Sequence, residues 1–163
     1  MNTSTMTGKI RQIASAAALV AGATFFATTG AQAGECPVGK TGVDVMKPGA
    51  TMPSKVTDTV IASISLDDYG AKGRALRMRR LVVQPGGVVP WHSHEARPAN
   101  ILVVSGQITE YRSSCSVPIL HRAGEVTQES GMLSHWWKNN SKKPAVLISS
   151  DVLPPQMTND ASM

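Results

Sequence analysis

Gly86-Gly87-Val88-Val89-Pro90-Trp91-His92-Ser93-His94 is the stretch on which the reading of this 163-residue chain turns. Its surroundings are strand-like, with Leu81-Val82-Val83 before it and Ile101-Leu102-Val103-Val104 after it. On an extended chain, residues two apart project from the same face, so His92 and His94 can converge on one point. A third histidine, His135, follows in Ser134-His135-Trp136-Trp137-Lys138-Asn139. Three imidazoles on neighbouring strands form a face of nitrogen donors suited to Fe, Mn, Zn, Ni or Cu. The competing reading is two surface histidines and one core histidine.

Working outward, β-rich segments recur about every ten residues and end at turn-like clusters. They are Thr59–Leu66, Ala75–Val83, the His92/His94 segment, Asn100–Ser105, Gln107–Arg112, Glu125–Gln128, Leu133–Lys138 and Ala145–Val152. Pro85-Gly86-Gly87 reads as a turn between two of them. No helical period appears beyond the first thirty-odd residues. The expected class is all-β, a sandwich or barrel.

The glycines and histidines also fall into two ordered patterns. Gly86, His92, His94 and Gly106 fit G-x5-H-x-H-x4-E-x6-G, and Gly124, His135 and Asn139 fit G-x5-P-x-G-x2-H-x3-N. These resemble the two motifs of the cupin superfamily. The resemblance implies a single-domain jelly-roll β-barrel with a metal inside, held by His92, His94 and His135. It departs from the family at Ser130, where proline is usual, and at Met132, with Gly131 one residue early. The larger departure is Ala99, which stands where the family's metal-binding glutamate is expected. Three acids could take its place. Glu95 follows His94 and should point to the opposite face, Glu110 shares its alternation with Ile108, and Glu129 lies in turn-like sequence. A three-histidine site is the preferred expectation, similar to that of thiol and diketone dioxygenases.

Residues 1–33 read as a signal peptide: Lys9 and Arg11 lead an apolar, alanine-rich stretch that ends at Ala31-Gln32-Ala33. Removal rather than a stable membrane anchor is expected, with a periplasmic or secreted product of about 130 residues, enough for one core. Residues 34–57 read as an N-terminal arm, 58–153 as the barrel and 154–163 as a tail. Fourteen basic and eleven acidic side chains would then remain, a net charge of +3. Arg74, Arg77, Arg79 and Arg80 form the one dense basic cluster. Interleaved with Leu76, Met78 and Leu81, they predict a half-buried strand with a cationic outer face, not a nucleic-acid surface. In an oxidising compartment Cys36 and Cys115 are expected to pair. The competing role for Cys115 is that of a thiolate ligand or nucleophile.

Arg97 lies between His94 and the vacant glutamate position and is the candidate to grip a substrate carboxylate. Trp137 shares a face with His135 and is the candidate pocket wall. His121 is expected to be exposed, and Asn139 to be a hydrogen-bonding turn residue. Two functions follow. One is a divalent-metal, Fe-type oxygenase acting on a small chelating or anionic substrate. The other is a noncatalytic cupin that binds a small ligand or serves a structural role. A homodimer is compatible with either.

Overall fold

A computed structural model describes residue 1 and residues 34–155. The expected signal peptide and most of the expected tail lie outside the described residues. Among the described residues no helix is long and apolar enough to cross a membrane. Eight strands carry the fold: β1 (Ser54–Ser65), β2 (Ala75–Ser93), β3 (Ala99–Ser105), β4 (Gln107–Arg112), β5 (Ile119–Arg122), β6 (Val126–Glu129), β7 (Ser134–Lys138) and β8 (Ala145–Leu153). All pair antiparallel, in the order β5-β4-β7-β2-β8-β3-β6, with β1 added on β2. The sheet curls into the expected jelly-roll. β1 begins at Ser54, inside the span read as the arm.

The expected break at Pro85-Gly86-Gly87 is absent, because β2 runs unbroken for 19 residues. Its first half pairs with β8 and its second half with β7, so one strand belongs to both walls of the barrel. Gly86, at φ 75°, supplies a conformation that side-chain-bearing residues avoid, and the chain bends there without leaving the sheet. Gly106, at φ 76°, joins β3 to β4 and so crosses from one wall to the other. A side chain there would collide with Pro144 O. The two walls close on one core that includes Leu81, Val83, Ile101, Val103 and Leu147 from the first and Val89, Ile108 and Trp137 from the second.

The basic strand is inverted relative to the expectation. Arg77 and Arg79 face the interior, while Leu76 and Met78 are 40% exposed. Alternation fixed by buried Leu81 and Val83 puts 77 and 79 on the same inward face. Their charge is tolerable there because β8 offers a polar interior opposite them, Arg77 pairing in register with Asp151 and Arg79 with Ser149. Asp151 accepts from Arg77 Nε at 3.0 Å and Nη2 at 2.9 Å, with Arg79 Nη2 at 3.4 Å and Arg97 Nη1 at 3.6 Å. Asp58 on β1 binds Arg79 from the other side.

The arm is docked on the loop after β4. Gly42 N and Val45 N donate to Ser114 O and Ser113 O, and Ser116 N donates to Lys40 O. Cys36 and Cys115 form a disulfide across 79 residues of sequence, and Cys115 is therefore not a free thiolate. Closing so long a loop is worth about 4 kcal/mol in the chain-entropy model. Cys36→Ser/Cys115→Ser should lower the unfolding free energy by about that amount in urea melts, with an unchanged strand signal by circular dichroism. A loss below about 1 kcal/mol would mean that the backbone bonds alone secure the arm.

Candidate metal centre

His92 lies near the end of β2 and His94 one residue beyond it, and His135 stands opposite His92 in the β2–β7 register. Their Nε2 atoms form a triangle with sides of 3.0, 3.0 and 3.2 Å. Each ring is fixed through its other nitrogen. His92 Nδ1 donates to Pro90 O at 2.8 Å, His94 Nδ1 to Arg97 O at 2.8 Å and His135 Nδ1 to Glu110 Oε1 at 2.6 Å. Carbonyl oxygens only accept, so Nδ1 carries the proton in His92 and His94 and the Nε2 lone pairs point inward. Oxygen partners of this kind orient metal-binding imidazoles.

Electrostatics agree with that assignment. Burial, then repulsion from His135, pushes His92 down to about 2 and His94 down to about 3, so both are neutral at physiological pH. Burial works against the charge on His135, but Glu129 and then Glu110 outweigh it and raise its pKa. Lone pairs this close repel one another unless positive charge lies among them, as a proton or as a metal ion. The spacing favours an ion. With metal–nitrogen bonds of about 2.1 Å, adjacent ligands lie about 3.0 Å apart on an octahedral face and about 3.4 Å apart on a tetrahedral edge. The triangle matches the octahedral face more closely.

The three acids weighed as substitutes for Ala99 have different places. Glu95 is exposed in the bend after His94. Glu110 is buried and accepts from His135 Nδ1, His121 Nε2 at 2.9 Å and Arg112 Nε at 2.9 Å. Burial favours its neutral form, yet the hydrogen bonds from His121 and His135 hold its carboxyl well below the usual range. Glu129 is the acid that reaches the triangle, with Oε2 3.1 Å from His94 Nε2. It lies at the end of β6, directly opposite Ala99 in the β3–β6 register. A carboxylate absent from one strand is thus present on the adjacent one. Burial and repulsion from Glu110, opposed by His135, push Glu129 up to about 7.

A narrow cavity opens beside the histidines. Its walls are Leu81, Val89, Ile101, Trp137 and Leu147, with His92, His94, Glu129, Arg79 and Ser149 as polar groups. Its free space is about 20 Å³, room for little more than one water. Trp137 stands on this wall, as its alternation with His135 implied. Arg97 is buried but directed toward Asp151, and it does not line the cavity; the guanidinium that does is Arg79. His121, expected to be exposed, is fully buried, with its ring 4.8 Å from that of Trp137. Its alternation with buried Ile119 was the available signal. Asn139 is structural: Nδ2 donates to Val83 O and Lys143 O, both at 2.8 Å, and Oδ1 accepts from Ser141 N.

Known proteins share the fold. A family profile described as "Cupin domain" matches residues 79–151. The auxin-binding protein ABP19b of Prunus persica is 32% identical over 84 residues, 50% of this chain and 40% of that protein. Nectarin-1 of Nicotiana plumbaginifolia is 29% identical over 112 residues, 65% of this chain and 47% of that protein. The chain thus spans less than half the length of these curated relatives. Among solved structures, the cupin domain of Schizosaccharomyces pombe Cnp3 aligns with a TM-score of 0.50 at 10% identity, over 61% of this chain and 66% of that one.

Proposed function

Because residues 79–151 form a cupin domain, we propose that this chain is an exported, single-metal cupin, a divalent-metal oxygenase of the Fe type acting on a small chelating or anionic substrate. The observation that carries the reading is the triangle of inward-facing Nε2 atoms, each imidazole held through Nδ1 by an oxygen. His92, His94 and His135 would hold the ion, and Glu129 would be its fourth ligand. When bound, a redox-active divalent ion supplies the Lewis acidity and electron exchange that oxygen chemistry requires.

The chain's own residues set the conditions. Pro90 O, Arg97 O and Glu110 keep the histidine lone pairs aimed at one point, and Arg112 and His121 keep Glu110 ionised to do so. Trp137, Leu81, Val89 and Leu147 exclude bulk water from the cavity, which strengthens every electrostatic contact inside it. Glu129, buried with its Oε2 3.1 Å from His94 Nε2, would offer its carboxylate to the ion, which offsets the cost of burying that charge. The disulfide fits an oxidising destination for the chain.

The narrowness of the cavity favours the second reading, a cupin that binds a small ligand or serves a structural role without turnover. One experiment separates the two. Protein isolated from the export compartment should carry about one divalent transition ion per chain by elemental mass spectrometry, and should consume O2 with at least one member of a panel of small chelating acids. Bound metal without O2 consumption would sustain binding alone, and protein that neither carries nor takes up an ion would end both metal readings.

A further inference from the structure

His121 is a fully buried imidazole on β5 whose two nitrogens are treated differently. Nε2 donates to Glu110 Oε2 at 2.9 Å, and the other oxygen of that carboxylate receives His135 Nδ1 at 2.6 Å. An ionised carboxylate only accepts, so in the uncharged ring the proton sits on Nε2 and Nδ1 is left as an acceptor. Nδ1 is buried and has no hydrogen-bond partner among the described residues. A buried acceptor left unmet is costly, and native proteins rarely leave one without a donor.

The backbone lying against that nitrogen is Gly34. A Cβ on residue 34 would stand 2.6 Å from His121 Nδ1 and 2.9 Å from its Cε1, so any side chain there would press into the ring. The Cα is therefore within about 4 Å of Nδ1, with its nitrogen one bond away. Two residues on, the Cys36–Cys115 disulfide and the bridge between Thr41 and Cys115 pin this stretch to the barrel. Gly34 is half-buried at the rim of a cleft shared with Glu35 and Arg112, so a charge placed on it keeps part of its water.

Gly34 is also the residue that cleavage after Ala31-Gln32-Ala33 would leave first. As an internal residue it has a single N–H, fixed in the peptide plane, and that N–H does not reach Nδ1. Hydrolysis of the Ala33–Gly34 bond adds water across it, leaving a carboxylate on Ala33 and an ammonium group on Gly34. The ammonium has three donors that turn about one bond.

We propose that removal of the signal peptide supplies the missing partner: the α-ammonium of Gly34 donates to His121 Nδ1 and extends the chain His121–Glu110–His135 to the new N-terminus. The ammonium is a positioning group that touches neither metal nor substrate. It fixes the His121 tautomer, and through it the carboxylate that aims His135. The inference rests on the export reading above and not on the metal.

Intact-mass analysis of protein recovered from the export compartment should find a chain beginning at Gly34. A chain that keeps its signal peptide overturns the export reading and this inference with it, whereas a cut at another position overturns the inference alone. The Gly34-first protein, with any paramagnetic ion exchanged for Zn(II), is then compared with an Ala33-first form in which residue 34 is again an amide. By nitrogen NMR, His121 Nδ1 should resonate as a hydrogen-bonded ring nitrogen in the Gly34-first form only. The Ala33-first form should melt about 5–10 °C lower, as for loss of one hydrogen bond to a charged group in a domain of this size. In His121→Gln the side-chain amide can still donate to Glu110 but presents nothing at the Nδ1 position, so the two N-termini should melt alike. A melting difference that persists in His121→Gln overturns the proposal. So does an identical His121 Nδ1 resonance in the two forms, a comparison that needs no substitution and decides the matter if His121→Gln does not fold.

Discussion

Asp151→Ala is expected to cost 3–5 kcal/mol or more, a large part of the roughly 5–15 kcal/mol that stabilises an ordinary domain. The single carboxylate of Asp151 faces Arg77, Arg79 and Arg97, all buried. Its removal leaves Arg77 without the bidentate partner at 2.9 and 3.0 Å that accounts for two of its donors. A buried charge cut off from its partner is far more costly than a pair that is missing altogether. Asp151→Asn, which keeps the shape and removes the charge, should still lose most of that stability. Urea melts of wild type and both variants provide the check, and a loss under 1 kcal/mol for Asp151→Ala would show that water reaches the cluster in solution. Arg77→Met/Asp151→Leu should be milder than either single truncation, because it removes both charges and keeps the volume.

The second large effect concerns the metal. His135→Ala should reduce the bound ion from about one per chain to nearly none, since it removes one corner of the triangle and the ring that Glu110 orients. Glu129→Ala should lower metal affinity about 100-fold while leaving the three histidines in place, in line with loss of a ligand or its close support. The register makes a sharper test possible. Ala99 and Glu129 are direct cross-strand partners, so Ala99→Glu/Glu129→Ala returns a carboxylate to the cavity from the neighbouring strand. That double variant should recover at least tenfold of the affinity lost by Glu129→Ala. Competition titration with a chromophoric chelator measures all three. Affinity in Glu129→Ala equal to wild type would remove Glu129 from the ligand set and leave three histidines.

The residues that were legible in the sequence are those whose roles follow from local spacing. His-x-His on an extended chain and two cysteines in a chain expected to reach an oxidising compartment each carry their meaning in the local sequence or the count alone. Trp137 was readable for the same reason. What was not legible depends on partners distant in sequence. Arg77 and Arg79 share the face of Leu81 and Val83, which points them inward, but burying two guanidiniums in place of Leu76 and Met78 runs against their charge. What makes it tolerable is Asp151, more than seventy residues away, through a β2–β8 register that no local pattern reveals. Glu129 was discounted because it precedes Ser130-Gly131, yet β6 extends through it, and the alternation of buried Thr127 and Glu129 gives its direction. Arg97 turned inward, but toward Asp151 and not the cavity, its Nη1 3.6 Å from the aspartate that also accommodates Arg77 and Arg79.

The shared strand has a consequence for how the barrel breathes. β2 is bonded to β1 and β8 over one half and to β7 over the other, so parting the walls on that side would break contacts with three neighbours together. At the opposite margin stand β5 and β6, four residues each, and each pairs with one strand only among the described residues. Opening is therefore one-sided, like a book hinged at its spine. The spine amides should be the slowest to exchange with solvent, and the loosest part of the sheet is the margin that carries Glu129 and His121. His92 and His135, paired across β2 and β7, belong to the spine, whereas Glu129 reaches the triangle from the margin, so exchange measured at the two sides separates the parts of the site.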